Sequence, residues 1–363
     1  MADRIVVFGA TGYTGELIAA RLVAAGVRPV LAGRSENRLS ALAERLGGLE
    51  WTRADAMRQN TVFDLVGPPD VLVSTVGPFV KWGLPAARAA VAAGCTYIDT
   101  SGEPEFIRRL FDELDGPASR SGARLLPSLS YEFAAGTLAG ALALDEAGDG
   151  AARVDVGYYA LGAGPTSLSA GTRESLVGVT VGDHFAFRDG AVSTVRAAER
   201  VRSFEVDGKS REAVSIGGAE HYALPATYQG LREVNVYLGG LGPLSRALQA
   251  GSLVGTAVQK LPLARPTMRF WGERAVSLVG GPDAGTTGDV RSDIVAEALD
   301  AGGEVLARVE LVGPDPYDFT ASLIAWAAQR EVSGAAGVLG PISAFGLSDF
   351  EAGARSAGLA RTP

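Results

Sequence analysis

A glycine-rich turn between a buried strand and a helix limits most strongly what this chain can fold into. The apolar run Ile5–Phe8 predicts a buried parallel strand, and glycines follow at positions 9, 12 and 15, where a helical pattern begins. Glycines allow a sharp turn, a close approach of the backbone to a pyrophosphate and tight packing of helix on strand. The N-terminus of that helix favours anions, so the turn predicts a dinucleotide site.

The residues after the second predicted strand distinguish between the two nicotinamide dinucleotides. That strand, residues 29–32, is followed by Arg34 and Ser35, and Arg38 lies one helical turn further on. An NAD site would place a carboxylate here for the ribose 2′-hydroxyl. A guanidinium and a hydroxyl instead suit a 2′-phosphate. We therefore predict NADP(H), the alternative being that both arginines are ordinary solvated residues at a helix start.

Composition excludes several classes of protein. The chain has 363 residues, enough for two domains, and its net charge of −8 argues against binding to nucleic acid or anionic membranes. The single cysteine, Cys95, allows no internal disulfide, and we expect it to be buried at a strand start. No signal peptide or membrane-spanning apolar segment is evident. We expect a cytoplasmic protein.

Strands and helices alternate regularly as far as residue 126. After the first two strands, further strands are predicted over residues 49–55, 71–76, 96–100 and 123–126. Helices are predicted over residues 37–46, 62–66, 85–93 and 104–114. Repeated strand–helix units imply right-handed crossovers and a doubly wound parallel sheet. We therefore predict an N-terminal Rossmann domain over residues 1–127, within an α/β fold class.

The pattern changes after Pro127. Asp-Gly turns at 189–190 and 207–208 lie between strand-like flanks, and residues 293–311 form a third predicted hairpin. Additional predictions are strands over 154–161, 233–238 and 275–279, and helices over 171–180 and 244–259. Together they predict an α+β domain with a mostly antiparallel sheet over residues 128–318. Its open strand edges favour a homodimer.

The last segment, residues 319–363, is predicted to return to the Rossmann domain. A long helix is expected over 319–332, then a loop over 334–345 and a short C-terminal helix.

Five segments resemble a known family. They are GATGYTG at 9–15, LAGRSENRL at 31–39, VLVSTVGPF at 71–79, AAGCTYIDTSGE at 92–103 and SLSAGTRESLVG at 167–178. These segments are similar to the saccharopine dehydrogenase-like oxidoreductases, above all to the branch with the trans-acting enoyl reductases of actinobacterial lipid synthesis. The resemblance is close over the first 135 residues and looser beyond. It implies an NADP-dependent reductase with a Rossmann domain and a substrate or dimerisation domain.

The cofactor residues follow from the resemblance and from position at the sheet edge. The family's phosphate loop corresponds to Gly9, Thr11, Gly12, Tyr13, Thr14 and Gly15, and its adenosine-phosphate residues correspond to Arg34 and Ser35. We add Arg38 from its spacing and Asp55 as a residue that meets the adenine. The backbone after the fourth strand is expected along the nicotinamide ribose, at Ser74, Thr75, Val76, Gly77, Pro78 and Phe79.

The proton donor of a reductase is expected at the same edge of the sheet. Tyr131 is the first candidate, because a phenol can protonate an enolate or an amide, and Glu132 and Glu103 are alternatives. Each also has a structural interpretation, as a packed aromatic residue or a helix-capping carboxylate. Near these residues the family has a proline and a second acid where this chain has Ala135 and Thr137. The substrate class is therefore not transferable.

Other chemistries find no support in the sequence. The two histidines, His184 and His221, are far apart and have no nearby cysteine, so we expect no metal site, and we expect each at the surface or in a cleft. No GxSxG motif is present, which removes hydrolase chemistry. The short-chain dehydrogenase mechanism needs a tyrosine four residues before a lysine. The residues four positions before the three lysines are Gly77, Glu205 and Thr256. None of them is a tyrosine, so this mechanism is excluded.

The sequence therefore predicts an NADPH-dependent reductase that acts on a polarised C=C or C=N bond of a small organic or lipid-like substrate. Two alternatives stay open. One is a saccharopine-type reductive amination, with Arg173 and Arg188 as candidates for binding amino-acid carboxylates. The other is a non-catalytic NADP(H)-binding regulator or scaffold.

Overall fold

The computed structural model describes residues 4–162, 184–240, 245–250, 252 and 290–362. The predicted elements at 171–180 and 275–279 and the candidate Arg173 lie outside the described residues. Contacts divide the chain into two units. The first comprises Met1–Ser101, Phe106–Tyr131 and Tyr317–Gly358. The second comprises Gly102–Glu105, Glu132–Pro316 and Leu359–Pro363.

The first unit contains a seven-stranded parallel sheet. Its first six strands are β1 (Ile5–Phe8), β2 (Val30–Gly33), β3 (Trp51–Arg53), β4 (Val71–Ser74), β5 (Thr96–Asp99) and β6 (Arg124–Leu126). The order across the sheet is Gly337–Val338, β6, β5, β4, β1, β2, β3. Strands β1, β2 and β4 are buried along their whole length, as expected where helices cover both faces. The order reverses between β1 and β4, where such sheets bind nucleotides, and the Rossmann prediction is confirmed.

Short helices connect these strands. They are α1 (Tyr13–Ala24), α2 (Glu36–Arg45), α3 (Gln59–Phe63), α4 (Phe79–Trp82), α5 (Leu84–Ala93), α6 (Pro104–Arg109) and α7 (Asp115–Ser121). The helix predicted over 104–114 continues from α6 through a π-helical turn at Leu110–Leu114 into α7. Cys95 is buried as expected, and burial raises the pKa of its thiol to about 12. A thiol in that state is not a nucleophile.

The C-terminal part of the first unit differs from the prediction in one place. Helices Pro316–Ala328 and Leu347–Ser356 form, but residues 334–345 are not simply a loop. They contain the strand Gly337–Val338, parallel to β6, and the helix Pro341–Phe345. The Val338 amide donates to Asp115 Oδ1 at 2.9 Å, and proline in the first turn starts the helix. Contacts with residues distant in sequence create this strand, so local pattern did not reveal it.

The second unit contains a mixed sheet that is mostly antiparallel, as predicted. Its strands are β7 (Arg153–Leu161), β8 (His184–Arg188), β9 (Ala191–Val195), β10 (Val201–Val206), β11 (Lys209–Ile216), β12 (Glu233–Gly239), β13 (Arg291–Leu299) and β14 (Val305–Gly313). The order is β10, β11, β12, β7, β13, β14, Ala360–Arg361, and β8 pairs with β9 and β12. Among these pairs only β12 and β7 run parallel.

Both Asp-Gly turns form the predicted hairpins. Asp189, Gly190, Asp207 and Gly208 all have positive φ, which is the conformation of two-residue hairpin turns that match strand twist. They join β8 to β9 and β10 to β11.

Two helices of this unit were not predicted. Helix α8 (Gly136–Ala147) contacts β7, β13 and β14, and α9 (Glu220–Thr227) contacts α8 and β12. Nine residues of α8 are buried, so its sequence lacks an amphipathic period. Residues 245–250 and 252 are helical and are the described part of the helix predicted over 244–259. In the part of the chain that the structure describes, no helix is long and apolar enough to cross a membrane.

Candidate functional site

The turn between β1 and α1 requires glycine at two positions. Gly9 has a φ of +91°, and a Cβ there would lie 2.6 Å from Thr75 Oγ1. A Cβ on Gly15 would lie 2.3 Å from the Gly9 carbonyl oxygen. The Gly9 and Ala10 amides both donate to the carbonyl of Ala32 on β2, at 2.9 and 3.1 Å. The turn is thus shaped by backbone contacts that any side chain would break.

The predicted phosphate-loop residues lie together on this turn. Gly12 is the N-cap of α1. It has no side chain that could accept a hydrogen bond from the N–H groups of the first helical turn. Glu16 is in the same turn, and its carboxylate pairs with Arg45 at 2.6 Å and lies 3.9 Å from Arg38. These arginines offset a negative charge that would oppose phosphate binding. The helix end therefore suits an anion.

Arg34, Ser35 and Arg38 follow β2 but make different contacts. Ser35 is the N-cap of α2, and its Oγ accepts from the Arg38 amide at 3.4 Å. The Arg38 guanidinium donates to the Thr11 carbonyl, which ties α2 to the phosphate loop. Arg34 is exposed and has no hydrogen bond or ion pair with any described residue. Its guanidinium is therefore accessible to an anion, and its role in 2′-phosphate binding stays a prediction.

Asp55 shapes a turn after β3. Its Oδ1 accepts from the Met57 amide at 3.0 Å, and its carbonyl accepts from the Arg58 amide at 2.8 Å. Its own amide donates to Thr61 Oγ1 at 2.9 Å. Because β3 pairs with β2, Asp55 is near the adenosine end of the predicted site, where it orders the backbone.

The segment after β4 meets the glycine turn. Thr75 Oγ1 donates to the carbonyls of Phe8 and Gly9, at 3.3 and 3.2 Å. The side chains of Ser74 and Phe79 are buried, the latter against Phe106 with ring centroids 5.4 Å apart. Only the stretch between them, from Thr75 to Pro78, is partly or fully exposed. A ligand at this edge would therefore meet that stretch rather than the two buried side chains.

A buried aspartate joins the next two strand ends. Asp99 Oδ1 accepts from the Ser101 and Ser128 amides, at 2.8 and 2.9 Å. Its carbonyl oxygen accepts from the Leu129 amide at 2.9 Å. Burial and the Asp99 carboxylate together hold the pKa of Tyr97 well above its usual value. Asp99 thus fixes the backbone that leads to the predicted proton donors.

Two of the predicted proton donors, Tyr131 and Glu132, lie in a strained turn. Ser128 and Phe133 have positive φ, at 57° and 79°, which is costly for residues other than glycine and is frequent at functional sites. Tyr131 is buried, and its amide donates to Thr320 Oγ1 at 2.9 Å. Glu132 is partly buried, and burial raises the pKa of its carboxyl.

The three candidate proton donors do not all belong to the same unit. Tyr131 belongs to the first unit with all the predicted cofactor residues, and Glu132 and Glu103 belong to the second. Glu103 is buried there, with 4% of its surface exposed.

The sequence analysis did not single out Glu220, a fully buried carboxyl of the second unit. Tyr158 OH donates to Glu220 Oε1 at 2.6 Å and accepts from the Phe133 amide at 2.8 Å. Burial raises the pKa of Glu220 to about 8, although the Tyr158 hydrogen bond opposes this. Glu220 is therefore protonated at neutral pH. A Cβ on Gly136 would lie 1.9 Å from Tyr158 OH, so glycine is required beside the pair.

Both histidines are buried, which corrects the expectation of surface or cleft positions. His184 Nδ1 accepts from the Gly217 amide at 3.0 Å, and His221 Nδ1 lies 3.1 Å from the Gly218 amide. Burial lowers the pKa of His221 to about 4, so this ring is neutral at physiological pH. Among the residues that the structure describes, no group of three or more His, Cys, Asp or Glu side chains is arranged to bind a metal ion.

Comparison with known proteins adds to this geometry. Residues 5–124 match the family model described as saccharopine dehydrogenase NADP binding domain. Over 134 residues the chain is 40% identical to a putative trans-acting enoyl reductase of Mycobacterium tuberculosis, which covers 35% of this chain and 32% of that protein. It is 36% identical, with the same coverage, to a trans-acting enoyl reductase of Mycobacterium ulcerans. The chain thus spans about a third of the length of these relatives.

One solved structure is similar over the whole chain. It is the apo histidine-tagged saccharopine dehydrogenase (L-Glu forming) from Saccharomyces cerevisiae, with a TM-score of 0.61, 12% identity and 99% of each chain covered. At that identity the likeness shows the fold alone. The resemblance inferred from the sequence motifs is confirmed. The match to an NADP binding domain also confirms NADP(H) as the cofactor.

Replacing Gly15 by alanine tests the turn. The added Cβ would overlap the Gly9 carbonyl, so we expect nucleotide binding to be lost and the free energy of unfolding to fall by about 1–3 kcal/mol. Calorimetric titration with NADPH and urea unfolding measure both. Gly230→Ala is the matched control, since a Cβ there meets no atom within 4 Å. Equal NADPH affinity in the two variants would show that the close approach at Gly15 is not needed.

Replacing Arg34 by alanine tests the 2′-phosphate site. Loss of a charge-assisted hydrogen bond should weaken NADPH binding by about 10–100-fold and leave NADH binding unchanged. Calorimetry with both nucleotides measures the difference. Arg355→Ala is the control, because Arg355 pairs with Glu351 on the last helix of the first unit. A variant that keeps its NADPH preference would rule out Arg34 as the residue that selects the phosphate.

Replacing Glu220 by glutamine tests the buried carboxyl. The folded protein keeps this proton up to about pH 8, whereas the unfolded chain loses it near the ordinary glutamate pKa of 4.5. The stability due to the proton is therefore complete below pH 4.5 and falls as the pH rises towards about 8. Relative to the wild type, Glu220→Gln should gain more than about 1 kcal/mol of stability between about pH 5 and about pH 8.

Urea unfolding at the two pH values measures this gain, and Glu44→Gln, at an exposed position of α2, is the control. A stability difference between wild type and Glu220→Gln that does not change with pH would contradict the raised pKa of Glu220.

Proposed function

We propose, on the premise that residues 5–124 are an NADP-binding domain of the saccharopine dehydrogenase type, that this protein is an NADPH-dependent reductase. Its substrate in this proposal carries a polarised C=C bond of the enoyl type, with a C=N bond as the second choice. The names of the curated relatives support the first choice, but the match covers only about a third of their length.

The observation that carries the proposal is the fit of the first unit to its cofactor. Gly9 and Gly15 leave a backbone cradle that a Cβ would fill, at the N-terminus of α1. Arg34 supplies an exposed guanidinium without a described partner. These residues would hold the pyrophosphate and the 2′-phosphate, respectively. When bound, the cofactor supplies a hydride, and the protein binds, orients and provides a proton.

The burial and exposure of the three candidates decide which one we propose as the proton donor. Hydride addition to a polarised double bond leaves an anion that must be protonated, and an acid with a raised pKa keeps its proton until that moment. Burial raises the pKa of Glu132, and its side chain is partly exposed. Tyr131 and Glu103 are both buried, with 3% and 4% of their surfaces exposed. We therefore propose Glu132 as the proton donor, with Tyr131 as the second choice. This reverses the order that the sequence alone suggested.

The reaction is tested by NADPH consumption with a 2-enoyl thioester, a cyclic imine, and a 2-oxo acid with an amine. We expect turnover with the enoyl thioester. Glu132→Gln should lower kcat by about 100-fold or more while NADPH affinity is unchanged, because only the proton transfer is affected. Glu105→Gln, at an exposed position of α6, is the matched control.

Three results would change the proposal. Turnover only with the oxo acid and amine would indicate a saccharopine-type reaction. Loss of turnover in Tyr131→Phe but not in Glu132→Gln would return the donor role to Tyr131. Tight NADPH binding without consumption in any assay would favour a non-catalytic NADP(H)-binding protein.

A further inference from the structure

Two tyrosine rings from distant parts of the sequence meet at the start of α1. Tyr13 is the first residue of α1, directly after the N-cap Gly12. Tyr317 is the second residue of the helix Pro316–Ala328. The two ring centroids are 5.1 Å apart and the ring planes are inclined by 86°, which is an edge-to-face arrangement. Such aromatic pairs stabilise a contact beyond the apolar area that they bury. Both residues belong to the first unit.

Tyr317 is carried by a helix that is held on more than one side. Asp318 Oδ1 accepts from the Arg21 guanidinium at 3.0 Å, which joins this helix to α1 a second time. Thr320 Oγ1 accepts from the Tyr131 amide at 2.9 Å, which joins it to the segment after β6. Eight residues of the helix are buried. The Tyr317 ring is therefore attached to a packed element of the first unit.

The turn that precedes α1 depends more on outside contacts. Glycine occupies positions 9, 12 and 15, and glycine loses more conformational freedom on folding than any other residue. No side chain caps the first turn of α1. Tyr13 has the largest side chain of residues 9–15, and its ring packs on Tyr317. Because Tyr13 is part of the first helical turn, a fixed ring also fixes the direction of the N–H groups in that turn.

We propose that Tyr317 is a positioning residue of the NADP(H) site. By packing edge-on against Tyr13, it holds the first turn of α1 in the orientation in which its N–H groups bind the pyrophosphate. Tyr317 acts through Tyr13 and needs no contact with the nucleotide. The site thus includes a residue far outside residues 5–124, which match the NADP binding domain. The inference rests on the cofactor of the proposed function but not on its reaction, so nucleotide binding alone tests it.

Replacing Tyr317 by leucine tests the ring contact. Leucine keeps an apolar side chain but removes the ring, so NADPH should bind about three- to tenfold more weakly. Adenosine 2′-monophosphate carries the 2′-phosphate but no pyrophosphate, and its affinity should stay within about twofold of the wild-type value. Calorimetry measures NADPH binding, and NMR titration measures the smaller nucleotide.

A double-mutant cycle shows whether the loss passes through Tyr13. Tyr13→Leu should weaken NADPH binding by itself. The double variant should bind no more weakly than Tyr13→Leu, because the contact between the two rings is already absent there. Tyr317→Phe keeps the ring and should bind NADPH within about twofold of the wild type.

Arg21→Gln is the matched control. It removes an ion pair between the same two helices, and this pair is exposed, with 49% and 40% of the two side chains accessible. Exposed ion pairs contribute little, so NADPH affinity should be unchanged. Urea unfolding of every variant separates stability from binding. If Tyr317→Leu does not fold, Tyr317→Met replaces it with the same expected losses, because the flexible methionine fills the space without a ring.

Several results would overturn the proposal. One is wild-type NADPH affinity in the folded Tyr317→Leu or Tyr317→Met variant. Another is an equal loss with adenosine 2′-monophosphate or in Arg21→Gln, which would indicate a general effect of helix docking. A third is a pair of losses that add in the double variant, since Tyr13 and Tyr317 would then act independently. An equal loss in Tyr317→Phe would assign the effect to the hydroxyl rather than the ring.

These results leave the proposed function intact. A wild-type protein that binds no NADPH would overturn both the inference and the proposed function, so the two failures are distinguishable.

Discussion

The carbonyl oxygen of Gly9 is the contact point on which the first unit depends. It accepts from the Gly12 amide at 2.9 Å and from Thr75 Oγ1 at 3.2 Å, and it lies where a Cβ of Gly15 would be. One atom thus brings together the end of β1, the start of α1 and the segment after β4. Because β1 and β4 are neighbours at the point where strand order reverses, this contact defines the edge at which a dinucleotide binds. A Cβ at Gly15 would overlap this oxygen, so the backbone of the turn would have to shift.

Buried polar groups have a similar role further along the chain. Asp99 Oδ1 accepts hydrogen bonds from the Ser101 and Ser128 amides, which follow β5 and β6. The Tyr158 hydroxyl accepts a hydrogen bond from the Phe133 amide. Ser128 and Phe133, both with positive φ, are held by these bonds. Strained conformations persist only where the surroundings determine them. The positive φ values of Ser128 and Phe133 thus occur at residues whose amides donate to buried side chains.

The accuracy of the sequence predictions depends on how local the determining contacts are. The turn at Gly9, the buried run of β4 and the hairpins at Asp189 and Asp207 each follow from a few adjacent residues, and each was predicted. Helix α8 was missed because burial on nearly all sides removes its amphipathic period. The strand Gly337–Val338 exists only beside β6 and Asp115. The burial of both histidines likewise depends on segments distant in sequence, whose pairing no local pattern reveals.

The two carboxyls with raised pKa values illustrate why the catalytic residues are harder to predict than the cofactor site. Glycines and an arginine at fixed spacing indicate phosphate binding, whereas an acid becomes a proton donor only through its surroundings. Burial raises the pKa of both Glu220 and Glu132. Glu220 is fully enclosed and bonded to Tyr158, so its proton stabilises the fold and has no route to a ligand. Glu132 is partly exposed, and its burial raises its pKa without enclosing it. Desolvation thus raises the pKa of both carboxyls, and they differ in that Glu220 is fully buried whereas Glu132 is partly exposed.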